Sequence, residues 1–139
     1  MRRVAWHRRT RTVLAVALVA GAAAGCGTGE DRDQARGAAE ALYAAVEAGD
    51  GQAACRQLSP QARQELEGQE QAECADAILG LELTGVDVQR VEVFLNEAAV
   101  HLSGGESVFL DETQQGWRVS ALGCREQSTN QPSDCEVQA

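Results

Sequence analysis

The hydrophobic period of this chain changes once, at Gly85, and that change limits the fold more than any other feature. Before it, apolar residues recur at helical spacing. Ala35, Ala39, Leu42 and Val46 repeat at i, i+4, i+7 and i+11, and Tyr43 widens the stripe. This predicts a first helix over 34–48, with Asp33 as N-cap and Gly49 as its stop. Gly49-Asp50-Gly51 is a sharp turn. A second helix is predicted over 52–58, with Ala54, Cys55 and Leu58 on one side. Ser59-Pro60 reads as N-cap plus N1 proline for a third over 60–67, ended by Gly68. A fourth, over 70–79, turns Cys74, Ala75 and Ile78 inward.

After Gly85 apolar residues alternate. Val86 and Val88 share one phase, and Val91, Val93 and Leu95 the opposite one, which predicts a bulge or bend at Gln89-Arg90. A turn at Asn96-Glu97 leads into a strand carrying Ala98, Val100 and Leu102. Gly104-Gly105 marks a hairpin before Val108 and Leu110. A turn through 113–116 precedes a last strand with Trp117, Val119 and Ala121. Neighbouring strands joined by short turns pair antiparallel. The fold class is therefore α+β, with N-terminal helices packed on one face of an antiparallel sheet.

The N-terminal end specifies location. Arg2, Arg3, Arg8, Arg9 and Arg11 precede an apolar run that starts at Val13 and is too short for the roughly 20 residues a spanning helix needs. Ala22, Ala23, Ala24 and Gly25 close the run, and Cys26 follows directly. This layout resembles the lipobox of bacterial lipoproteins, although Ala23 stands where that family usually has Leu. The resemblance implies a cleaved signal peptide over 1–25 and acylation of Cys26. It also implies a lipid-anchored protein on the extracytoplasmic face of the cell membrane. Residues 26–33 would form the acylated N-terminus and a flexible polar tether, and 34–139 a single domain. Neither arginine pair is followed by the apolar residues of a twin-arginine motif, so the export route stays open.

From Cys26 onward, seven arginines stand against 21 acids, a net charge of −14, and the chain has no lysine. Such a surface repels nucleic-acid phosphates, so no nucleic-acid partner is expected. Tyr43, Phe94, Phe109 and Trp117 are the aromatics of this part. A core built of Val, Leu and Ala is small and gains from covalent help. Cys55, Cys74, Cys124 and Cys135 remain after Cys26, and outside the cytoplasm an even number implies disulfides. Four cysteines allow three pairings; sequence proximity favours Cys55–Cys74 and Cys124–Cys135. The tail over 123–139 is polar and aperiodic, and a second disulfide would tie it down. No metal is expected, because C-x-x-C or short Cys/His spacing is missing. The acidic run Glu65, Glu67, Glu70 and Glu73 lacks loop spacing for calcium.

Several pieces together carry a second resemblance: A-L-Y-A-A-V-E-A-G-D-G-Q-A-A-C over 41–55, L-S-P-Q-A-R over 58–63, C-A-D-A-I-L over 74–79, and G-W-R-V-S-A-L-G-C over 116–124 ending in D-C-E-V over 134–137. They look like small bacterial lipoproteins of the nuclear-transport-factor-2-like (SnoaL-like) superfamily. The resemblance implies a cystatin/NTF2-like cone, a curved sheet wrapped against the helices, with a pocket between the two. Leu42, Tyr43, Val46, Phe94, Phe109 and Trp117 are the candidate pocket-lining residues. It implies no activity, since this fold serves enzymes, transport factors and inert modules alike.

Catalytic candidates are sparse. His101 alternates away from Val100 and Leu102 and has no carboxylate near it in its own strand. Asp111 alternates away from Val108 and Leu110. No serine or cysteine has a base at a recognisable offset, and no glycine-rich phosphate loop follows a strand. The expected function is non-enzymatic and needs no cofactor: an anchored accessory domain binding a small apolar ligand or an envelope protein. The alternatives are an isomerase- or cyclase-like enzyme using His101 or Asp111, and a purely structural envelope module.

Overall fold

The computed structural model describes residues 28–85, 87–126 and 134–139. The signal-peptide segment, Cys26 and Val86 lie outside the described residues. The elements run α1 (Thr28–Glu47), α2 (Gly51–Cys55), α3 (Pro60–Glu70), α4 (Cys74–Leu79), β1 (Val88–Phe94), β2 (Glu97–Leu102), a 3₁₀ turn (Ser103–Gly105), β3 (Glu106–Thr113), β4 (Gly116–Arg125) and β5 (Val137–Gln138). The chain is thus α+β: helices first, then a five-stranded antiparallel sheet in the order β1-β2-β3-β4-β5.

α1 starts before the expected Asp33 cap, so residues 28–33, read from sequence as tether, are its first turns. Glu30 and Asp31 lie in that first turn, where acids favour the positive helix end. Glu30 Oε1 also accepts from Gln34 Nε2 at 3.1 Å, one turn on. Ser59 caps α3, its Oγ accepting from the Ala62 N–H at 3.1 Å, with Pro60 at N1. Gly68 does not end α3; the helix runs on to Glu70 and stops at Gln71, which is left-handed at φ 51°. α4 is correspondingly shorter than its apolar pattern. The Glu67 Oε1 accepts from the Cys74 N–H at 3.2 Å and fixes its start.

In the sheet, the register between β1 and β2 shifts between Val88 and Arg90, at the phase slip in the sequence. Leu95 departs from expectation. It sits in the turn with Asn96 rather than in the strand, 94% exposed and at φ 57°. Pairing of Phe94 with Glu97 closes the hairpin around those two residues, so alternation ends at Phe94. β4 runs to Arg125, beyond the predicted Ala121, and its far edge is covered twice. Val119 exchanges backbone hydrogen bonds with Gln57 and Ser59 at 2.8 Å each, and Leu122 pairs with Val137 of β5. An edge covered in this way offers no template for another strand.

One apolar cluster joins the layers. Ala35, Ala39 and Leu42 of α1 meet Val100, Leu102, Val108, Leu110 and Val119 of the sheet, with Leu66 and Ile78 from the shorter helices. Two disulfides, Cys55–Cys74 and Cys124–Cys135, clamp α2 to α4 and the C-terminal segment to β4. In the chain-entropy model loops of this size each contribute about 3 kcal/mol. α2 and α4 touch so closely at Gly51 that a Cβ there would lie 2.0 Å from the Ala75 carbonyl oxygen. Gly51→Ala should therefore cost about 3 kcal/mol in urea unfolding, because backbone must move. Gly37→Ala, on the open face of α1, should instead stabilise by about 0.5–1 kcal/mol.

Candidate functional site

Between the helices and the sheet lies a buried polar cluster. Glu106 opens β3 with no solvent exposure. Its Oε1 accepts from the Tyr43 hydroxyl of α1. Its Oε2 accepts from the Thr84 backbone N–H and hydroxyl, each at 3.0 Å, and faces Arg125 Nη2 of β4 at 3.5 Å. Burial, and next the hydrogen bond to Glu106, push the Tyr43 hydroxyl above its ordinary pKa. Both oxygens of Glu106 are engaged by these donors. The cluster is a clamp between α1, the segment 81–85 and the sheet. The sequence reading missed Glu106. The available signal was an acid at the first position of the Val108–Leu110 alternation, on the core phase.

The six candidate pocket residues are divided between the two faces of the sheet. Leu42, Tyr43 and Trp117 belong to the core, and Val46 packs partly buried against it. Tyr43 also edges a hollow of about 250 Å³ with Glu40, Glu47 and Asp87. Phe94 and Phe109 are on the other side, away from the helices, 63% and 36% exposed. There they line a groove of about 520 Å³.

The groove follows from side-chain size. Phe109 is paired with Ala99 on one side and Ala121 on the other, so one large ring stands between two small residues. Phe94 flanks it from β1. Glu97, Asp111 and Ser120 supply polar groups, and Cys135 and Gln138 line the groove from the C-terminal segment. The Cys124–Cys135 disulfide thus holds part of the groove in place.

His101 and Asp111 are also on this outer face. His101 has a carboxylate partner after all, from the neighbouring strand: Nε2 lies 3.1 Å from Glu92 Oε2, and Nδ1 lies 3.0 Å from Ser107 Oγ. Arg90 reaches the other Glu92 oxygen at 3.3 Å. Both ring nitrogens are therefore occupied, and His101 would have to break a bond to take a proton from a ligand. His101 is not among the groove residues, whereas Asp111 is. Among the described residues no group of three His, Cys, Asp or Glu is placed to hold a metal ion, and no helix is long and apolar enough to cross a membrane. No family model matches the chain, and neither a curated protein nor a solved structure matches it.

Tyr43→Phe should cost about 1–3 kcal/mol, since it leaves the buried Glu106 oxygen without its donor. The pH response has a definite sign. An unfolded tyrosine ionises near pH 10, whereas Tyr43 stays protonated well above that in the fold. Its contribution is complete below about pH 10 and is lost as pH rises further, by up to about 1.4 kcal/mol per pH unit. Urea titrations between about pH 9 and 11 should show this loss in the natural chain and not in Tyr43→Phe.

Proposed function

We propose that this protein is a lipid-anchored extracytoplasmic binding domain that takes a small apolar ligand on the outer face of its sheet. The observation that carries the reading is the groove of about 520 Å³ with Phe94 and Phe109 open to solvent. That volume falls in the range of about 300–1,000 Å³ typical of small-molecule sites. The anchor rests on the sequence: the leading arginines, the apolar run and Cys26 behind small residues. Two disulfides agree with an oxidising compartment. The helices-then-sheet order is compatible with an NTF2-like cone. In this reading, however, the ligand lies outside the cone, because Leu42, Tyr43 and Trp117 fill the space between helices and sheet.

Two experiments test the proposal. Palmitate labelling of the expressed chain should be lost in Cys26→Ala; a label that persists removes the anchor. A neutral solvatochromic dye such as Nile red should bind the domain and bind several-fold more weakly in Phe109→Ser. Equal binding by that variant would remove the groove from the reading.

A further inference from the structure

We propose that the groove selects an organic cation: an amine or quaternary ammonium group carried on an apolar body. The inference rests on the groove reading above and adds the charge of the ligand.

Glu97 and Asp111 are direct partners across β2 and β3, and both line the groove. Like charges directly opposite each other in a sheet destabilise it. Neither carboxylate has a hydrogen-bond or ion-pair partner among the described residues. The available cation is turned elsewhere. Arg118 is the register partner of Asp111 on β4, but its Nη1 donates to the Trp117 carbonyl at 2.8 Å. Among the described residues no basic side chain lines the groove.

The rest of the same sheet face treats charge differently. Glu92 is matched by Arg90 and His101. Among the described residues of this face, the uncompensated pair lies in the groove, beside the exposed rings of Phe94 and Phe109. A cation seated there would relieve the Glu97–Asp111 repulsion and could lie over a ring face, which attracts positive charge. Its apolar body would lie along Phe109 between Ala99 and Ala121. A hydrated metal ion would meet only the carboxylates and make no use of the apolar rings, whereas an organic cation uses both.

The test uses three ligands with one apolar body: 4-phenylbutylamine, 4-phenylbutanol and 4-phenylbutyrate. Each is titrated calorimetrically into the full chain in lipid nanodiscs, with empty nanodiscs as reference. The amine should bind at least about tenfold more tightly than the alcohol, and the carboxylate most weakly. Glu97→Gln and Asp111→Asn should each weaken the amine roughly three- to fivefold, the scale of an exposed ion pair. Together they should bring it level with the alcohol. Added salt should weaken the amine and leave the alcohol unchanged. An alcohol that binds as tightly as the amine overturns the cation proposal and leaves the groove reading standing. So does an amine preference that survives the double variant. No binding by any of the three overturns both. Both substitutions are at solvent-accessible positions, and a Tm that is unchanged or raised, as relief of the repulsion predicts, will show that the variants fold.

Discussion

A carboxylate with no access to water has to be held by donors, or the fold around it is unstable. Glu106 is that carboxylate. Burying a charge costs several kcal/mol unless it is paired and hydrogen-bonded. Here the Tyr43 hydroxyl, the Thr84 N–H and hydroxyl, and the Arg125 guanidinium do the compensating. These groups come from α1, the segment 81–85 and the end of β4, so the cluster holds only when helix layer and sheet are in register. Apolar packing alone could let α1 slide along Val100 and Val108. The single geometry that satisfies Glu106 removes that freedom. Such specificity is the best-supported reason for keeping buried polar groups, which otherwise contribute little net stability.

The same clamp fills the space on the helix side of the sheet. With Tyr43 bonded to Glu106, and Leu42 and Trp117 buried in the same core, the helix side of the sheet is occupied by the protein itself. Among the described residues the outer face has no second layer of secondary structure. Its strands carry Ala99 and Ala121 where longer side chains would close the surface, and Phe109 between them. Small residues beside a ring leave a trough, and the C-terminal segment lines it as well. β5 is two residues long and adds few hydrogen bonds of its own. The Cys124–Cys135 bond and the buried Val137 therefore matter for this boundary more than the strand does.

Much of this fold can be read from the period of the sequence, and the groove cannot. The change at Gly85 separates helices from strands, and the slip at Gln89-Arg90 coincides with the register shift of β1 on β2. Ser59-Pro60 caps a helix for reasons local to those residues. The period of the sequence fails where distant groups decide. α3 passes Gly68 because its end is set by Gln71 and by Glu67 reaching Cys74. Leu95 fits the alternation by type, yet closure of the Phe94–Glu97 pair puts it in a turn. His101 looked solitary because its partner, Glu92, is on another strand nine positions away. Glu106 has partners at 22 and 63 positions' separation, beyond any periodic signal. Hydrophobicity alone groups the aromatics in one pocket, because it does not tell which face of a sheet a phenylalanine occupies. The phase of Phe109 against Val108 and Leu110 does, and it puts the ring outside.

Charge on the outer face then separates structure from function. Glu92, His101, Ser107 and Arg90 form a closed set in which each charge or dipole has a partner, and such a set stabilises the β1–β2–β3 pairing. Glu97 and Asp111, one register step beyond the Ala99–Phe109 pair, form an open one. Both sets lie on the same strands and face the same solvent, so neither position nor exposure explains why one is compensated and the other is not. In a domain whose acids outnumber its arginines three to one, further acids on the surface cost little to acquire. Two of them opposed across a strand pair, beside the two exposed rings, with the nearest arginine directed elsewhere, are a different matter. Solubility would be served equally well by spacing them apart. In the proposed reading their juxtaposition, beside exposed rings, suits a ligand that is positive and partly apolar.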